Sequence, residues 1–413
     1  MAEENGSLSP EREAGSEEDA QQRLQKDARD LRENLRLRRS RNVGPEAFAT
    51  LQKEEDVPVT SPVINLKVRK TLKGHRGRIL HFDWSPDKRH VVTAGQDGQL
   101  FIWNGMTAQK EMVIQSSKWV CACSFSPSTT LLACAGTSCD CQVFQLDTGR
   151  TSTDSQLPRL TVPRKTLSAH QKYITNCLFF GSDQQILTTG ADKLCAMWDM
   201  EYHEPVKTFQ GHTSDILGLA LNPKDPFTVF ATASSDRTAC IWDSRSGQCV
   251  MRFEGHEGEV NSVRFFPTGE AIGTACNDGT IRLFDLRADQ EIKFYTKTGI
   301  IFGCSALDFS KSGRILFGGY DDYAIRVWDV IKGTHIAMWL NHTDRVSNVA
   351  LSPDGTALGS CSWDGTLKAS IYNTVGMLLV GHIRKEKTLL TKTLWLPFFL
   401  LERNFFFFAD HLS

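Results

Sequence analysis

One stretch, residues 255–287 (GHEGEVNSVRFFPTGEAIGTACNDGTIRLFDLR), constrains what this chain can fold into more than any other feature. It holds two short apolar runs with strand alternation. A polar turn at Pro267-Thr268-Gly269 and a tighter one at Asn277-Asp278-Gly279 divide it, and it ends on Phe284-Asp285. The unit recurs. His75, His170, His212, His256 and His342 precede Asp97, Asp192, Asp236, Asp278 and Asp364 by 22 residues, or by 24 for His212, where residues 223–226 lengthen a turn. Four residues before each Asp stands a hydroxyl: Thr93, Thr188, Thr232, Thr274 and Ser360. Six residues after the first three stands Trp103, Trp198 or Trp242, and Phe284 takes that place after Asp278.

A period of about 40–45 residues with Gly-His and Trp-Asp marks is the pattern of a WD-repeat propeller blade. Each blade is a four-stranded sheet, so the chain is expected to be all-β. The spacings have a physical reason. The turn Asp accepts from the His, which meets the hydroxyl and the indole N–H, so each buried polar group has a partner. Strand alternation puts the hydroxyl and the Trp on one side of the sheet. These histidines are therefore expected to be satisfied core residues, neither metal ligands nor catalytic bases.

At 413 residues the chain has room for two or three average domains, but repeats build one body. A net charge of −1 favours neither nucleic acid nor an anionic membrane. The 12 cysteines are scattered through strand patterns. Cys121-x-Cys123 and Cys139-x-Cys141 lack the C-x-x-C spacing of zinc and redox sites, so buried free thiols in a reducing cytoplasm are expected. The N-terminus lacks the form of a signal peptide, no apolar run reaches about 18 residues, and no lipidation motif is present. Outside the His–Asp network there is no P-loop, paired carboxylate, Cys-His pair or metal cluster, so no cofactor and no enzymatic activity are expected.

Along the chain, residues 1–15 are acidic and polar and are expected to be disordered. A helix is expected over 16–42, opened by a capping-box-like Ser16-Glu17-Glu18-Asp19. Leu24, Ala28, Leu31 and Leu35 form an a/d seam of about two heptads, half of a coiled coil awaiting a partner. Residues 43–65 are a linker. The propeller is expected over 66–370. Blade two lacks Gly-His, with Ser138 in the turn-Asp place and Phe144 in the Trp place. Blade six opens at residues 299–303 and ends at Trp328-Asp329. Ring closure needs LKVRKTL, residues 66–72, as the outer strand of blade seven. There the pattern fails: Ala369-Ser370 stands where Ile-Trp is expected, so blade seven reads as incomplete and residues 371–413 as an atypical tail.

An N-terminal coiled-coil helix, a linker and seven WD blades resemble the heterotrimeric G-protein beta subunit. The likeness is carried by RKTLKGH at 69–75, RLFDLRADQE at 282–291 and SKSGRILFGGYDDY at 310–323, and covers residues 20–368. RSGQCV at 245–250, NSVR at 261–264 and GIIFG at 299–303 look most like the fifth beta class, which pairs with RGS proteins through a gamma-like domain. The resemblance implies an obligate dimer with a gamma subunit or gamma-like (RGS) partner, held along the Leu24–Leu35 seam. It also implies binding of an alpha subunit or effectors by the narrow top face of the propeller. The membrane would be met indirectly, at the inner face of the plasma membrane, through a lipidated partner. Trp119, Tyr173, Asp215, Asn261, Trp363 and Gln96 match residues that the family uses on that face. Arg78 stands where the family often has Lys, and Glu259 where it has Asp. Arg76, Leu80, Lys118, Cys121, Thr137, Leu217, Ser235 and Asn277 depart from the pattern. The alternative is a generic WD-repeat scaffold for a multiprotein complex, against which the N-terminal seam and the long shared strings count.

Overall fold

The computed structural model describes residues 63–116, 118–146, 158–202 and 204–375. The acidic terminus, the coiled-coil helix with Leu24, Ala28, Leu31 and Leu35, nearly all of the linker, and the chain beyond Val375 lie outside the described residues.

Seven antiparallel sheets stand radially as blades. Their inner strands are Ile79–Trp84, Val120–Phe125, Ile174–Phe179, Ile216–Leu221, Val260–Phe265, Cys304–Phe309 and Val346–Leu351. Each inner strand packs on the next, and the last packs on the first, so the ring is closed. Burial follows position. The second strand of a blade is covered on both faces and is almost wholly buried, mostly apolar apart from its hydroxyls, as in Leu131–Gly136, which has none. The outer strand alternates, as in Gln248–Phe253, whose odd positions face solvent.

Polar staples link neighbouring blades at one level. The second residue of an inner strand donates to the carbonyl of the first residue in the next. Thr175 reaches Ile216, Asn261 reaches Cys304 at 2.8 Å, Ser305 reaches Val346, and Ser347 reaches Ile79 at 2.6 Å.

Blade seven corrects the expectation of an incomplete sheet. Val63–Lys73 pairs along the strand Thr366–Val375, which also pairs with Ala357–Ser362, so the blade has four strands. The strand runs past Ser370, where the repeat pattern stops. Ser370 does occupy the Trp place: it lies opposite Leu358 as Trp198 lies opposite Ile186 and Trp242 opposite Phe230. The missing indole is replaced from elsewhere. Buried Ile64, with Leu66 and Tyr372, packs into the blade six–seven cluster around Phe317, and the Tyr372 ring lies 5.2 Å from that of Phe317. The Tyr372 hydroxyl donates to Gly355 O at 2.7 Å. Neither Ile64 nor Tyr372 follows the WD spacing, so repeat counting passes over both.

The parallel two-residue strand Arg159–Leu160 adds a fifth member to blade one, through Val113 N–H to Pro158 O at 3.1 Å. It comes from the polar connection within blade two, which reaches back over the outer edge of its neighbour.

Candidate functional site: the loop face of the propeller

The face that carries the Gly-His loops is scaffolded by the repeat network. In blade one Trp103 Nε1–H donates to Thr93 Oγ1 at 2.8 Å, that hydroxyl donates to His75 Nε2 at 2.7 Å, and His75 Nδ1–H donates to Asp97 at 3.0 Å. Blade three repeats this with Trp198, Thr188, His170 and Asp192 at 2.8, 2.7 and 2.8 Å. Blade four does so with Trp242, Thr232, His212 and Asp236 at the same three distances. Blade five keeps His256 on Thr274 at 2.7 Å and on Asp278 at 3.2 Å, with Phe284 in the indole place. Blade seven keeps His342 on Ser360 at 2.8 Å and on Asp364 at 2.9 Å.

Each turn Asp also accepts backbone N–H groups, as Asp236 does from Thr213 and Thr238. The network thus ties the loop before the inner strand to the turn after the second strand. Burial alone would raise the Asp236 carboxyl. The bonds from His212, Thr238 and Thr213 outweigh it and hold the group well below the usual carboxylate range. Cys276 lies with His256 and Asp278, their ligand atoms within 4.8 Å of one another. Burial pushes its thiol up to about 12, and Asp278 is engaged by Thr280 and Glu257, so the trio serves as the blade-five network.

Blade six departs from the pattern. Gly318 takes the hydroxyl place, and Tyr320 lies beneath the Arg326 guanidinium at 4.5 Å. Arg326 pairs with Asp322. The buried Trp328 Nε1 and Tyr320 hydroxyl find no hydrogen-bond partner among the described residues.

On this scaffold sits a sevenfold ring of backbone bonds. The residue after each second strand donates its N–H to the carbonyl of the residue just before the inner strand. Gln96 bonds Arg78 at 2.8 Å, Thr137 bonds Trp119 at 3.1 Å, Ala191 bonds Tyr173 at 3.0 Å and Ser235 bonds Asp215 at 2.9 Å. Asn277 bonds Glu259 at 2.8 Å, Asp321 bonds Gly303 at 3.0 Å and Trp363 bonds Arg345 at 3.0 Å.

Seven of the eight candidate contact residues fall on this ring: Arg78, Trp119, Tyr173, Asp215, Glu259, Gln96 and Trp363. Asn261 lies one step inside it, half-buried, with its amide donating to Cys304 O. Trp119 is 51% exposed and Tyr173 40%, far too open for core packing. Tyr173 OH donates to Asp215 at 3.3 Å. Trp363 is half-buried between two cations, Arg78 at 4.1 Å and Arg345 at 5.0 Å from its ring centroid. An open cleft of about 520 Å³ adjoins it, lined by Arg76, Arg78, Gln96 and Asp364 among others. Arg345, which spacing did not single out, completes this corner. Its signal was its place directly before the inner strand, shared with Arg78. The ring carries Arg78 at blade one and Asp215 and Glu259 at blades four and five, while Arg345 of blade seven pairs with Asp321 of blade six at 3.7 Å.

Seven blades of four antiparallel strands, one with a short fifth strand added, a repeated His–hydroxyl–Asp network and a strand shared between the ends of the described chain define a WD-repeat β-propeller. The G protein beta WD-40 repeat protein family model matches residues 18–373. The chain is 45% identical over 304 residues to guanine nucleotide-binding protein subunit beta-5b of Danio rerio, covering 73% of this chain and 75% of that protein. It is 42% identical over 306 residues to subunit beta-2 of Caenorhabditis elegans, covering 74% and 81%. It is 33% identical over 354 residues to the subunit beta of Oryza sativa subsp. japonica, covering 82% and 92%. The chain belongs to the G-protein beta-subunit family, and its place is in signal transduction. No helix among the described residues is long and apolar enough to cross a membrane.

Proposed function

We propose that the chain is the non-catalytic beta-type subunit of a signalling complex. It pairs obligately with a gamma subunit or the gamma-like domain of an RGS protein. It presents the loop face to an alpha subunit in its GDP state, and to effectors once that subunit leaves. One face serving both makes the two kinds of partner mutually exclusive. The similarity to a beta-5b subunit favours the RGS-type partner, and a lipidated partner would bring the complex to the inner face of the plasma membrane.

The observation that carries this reading is the exposure of Trp119 and Tyr173 on a rigid, hydrogen-bonded ring. Aromatic side chains held in the open at the centre of a patch are what binding hot spots require. The charges on the ring suggest what the partner offers: acidic groups toward Arg78, basic groups toward Asp215 and Glu259.

The test is co-expression with a conventional gamma subunit in one sample and an RGS protein bearing a gamma-like domain in another, followed by size-exclusion and mass analysis. A one-to-one complex with either supports the reading, and the choice between them sets the subclass. A folded chain that pairs with neither refutes it.

A further inference from the structure

The seven inner strands line the central channel. Cysteines apart, they carry four ionisable side chains: His81, Asp83, Arg264 and Asp308. Asp83, Arg264 and Asp308 each hold the fifth place of their strand, toward the end away from the loop face. Ser124, Leu178, Ala220 and Ala350 hold that place in the other blades. One level of the channel therefore holds a charge cluster among small or apolar neighbours.

The two carboxylates have a structural task. Asp83 accepts from Phe125 N–H at 2.9 Å and Asp308 from Leu351 N–H at 2.6 Å, each the sixth residue of the next inner strand. Arg264 cannot do this, being a donor. Its Nε is buried with no hydrogen-bond partner among the described residues. Its charge acts on His81 and Asp83 of blade one and on Asp308 of blade six, so it stands within electrostatic reach of both blades. His81 Nδ1 accepts from Cys123 N–H at 3.4 Å, with Cys123 Sγ at 3.5 Å, which leaves the ring proton on Nε2 as a donor with no hydrogen-bond partner among the described residues.

We propose that this part of the central channel, where His81 at the third place of its strand stands two residues nearer the loop face than the fifth-place Asp83, Arg264 and Asp308, binds a small inorganic oxyanion, sulfate or phosphate. Arg264 supplies the charge partner and His81 Nε2–H a second donor, while Asp83 and Asp308 act as the gate. Guanidinium and neutral imidazole N–H groups are donors only, and a tetrahedral oxyanion matches both. Ionised, the two carboxylates repel the anion. Protonated, each becomes a donor to it. Burial raises both, Asp83 to about 6, against the opposing pull of backbone N–H groups and Arg264. Tyr372 of blade seven also feels Asp308, and burial raises its phenol, so it stays neutral and adds no charge. Anion affinity therefore rises as pH falls.

The experiment is calorimetric titration of the full chain, in complex with its partner subunit, with sulfate at about pH 7.5 and about pH 5.5. Sulfate keeps its charge across this range, so any change belongs to the protein. The expected result is saturable binding, about tenfold or more tighter at the lower pH. Arg264→Gln should lose it, and the double variant Asp83→Asn with Asp308→Asn should bind at pH 7.5 as the wild type does at pH 5.5. No saturable binding at either pH overturns the proposal. So does equal binding by a folded Arg264→Gln variant, or affinity that falls with acidification. Should Arg264→Gln fail to fold, the double variant decides alone: unchanged pH dependence there sinks the gate.

Discussion

Ser347 donates its hydroxyl to the carbonyl of Ile79 at 2.6 Å, joining residues 268 apart in sequence. The bond ties the inner strand of blade seven to that of blade one. Trp84 Nε1–H, bonded to Ala350 O at 3.2 Å, ties the same two strands nearer their far ends. Ser347→Ala leaves the carbonyl of buried Ile79 short of a donor and is expected to cost about 1 kcal/mol. A lowered urea midpoint with an unchanged slope is the expected result, and an unaltered midpoint would show that the staple contributes nothing.

Tyr372 carries the ring that closes the blade six–seven interface. Tyr372→Ala is expected to destabilise the propeller by about 3 kcal/mol. A chain cut after Ser370 should melt well below one cut after Val375, because only the longer one keeps this ring and the full pairing with Val63–Lys73. Equal melting temperatures would mean that Ser370 needs no such neighbour.

The turn aspartates set the response to acid. The Asp236, Asp278 and Asp364 carboxyls lie below their ordinary value: their histidine, threonine and backbone bonds outweigh the burial that would raise them. A depressed folded pKa gives stability that is present above the unfolded value, near 4, and is lost as pH falls through the folded one. Unfolding monitored from pH 6 downward should show stability falling below about pH 4. Asp236→Asn should be less stable at pH 7 and show a shallower acid limb, and a limb as steep as the wild type's would remove Asp236 from this role.

Asp83 has the opposite sign. Its folded pKa is raised to about 6 by burial, so the folded state binds a proton that the unfolded state releases. Its contribution to stability is fully present below about pH 4 and is lost as pH rises to about 6. Asp83→Asn is therefore expected to raise the melting temperature at pH 7.5 more than at pH 4.5. A variant that melts lower at pH 7.5 would show that the bond from Phe125 N–H outweighs the buried charge.

Two tryptophans separate binding from packing. Trp242 is fully buried and hydrogen-bonded, and Trp242→Ala should cost about 3–5 kcal/mol. Trp119 is half in solvent, so Trp119→Ala should leave the melting temperature nearly unchanged while weakening capture of an alpha subunit or effector. A large drop in melting temperature for Trp119→Ala would return it to the core.

The repeat was legible because its parts lie within one blade. His212, Thr232, Asp236 and Trp242 meet through pairing of adjacent strands, and strand alternation converts their spacing into a common face. The candidate face was named through the family resemblance, and in the five blades that keep the network its ring positions also stand at a constant step from the His and the Asp. Arg345 escaped notice because its role depends on Trp363, which the turn places above it, and on Arg78, its neighbour in the ring but distant in sequence.

By itself, then, the sequence determined the blade, the number of blades and the residues that hold each one together, since these obey local periodicity. Only the tertiary structure decided how the ring closes. The strand Thr366–Val375, Ile64 and Tyr372 fill the place of a missing tryptophan from positions that no repeat specifies. Only it decided that the charge of Arg264 acts on His81, Asp83 and Asp308. Those residues come from blades one, five and six, and closing the circle is what brings their charges together.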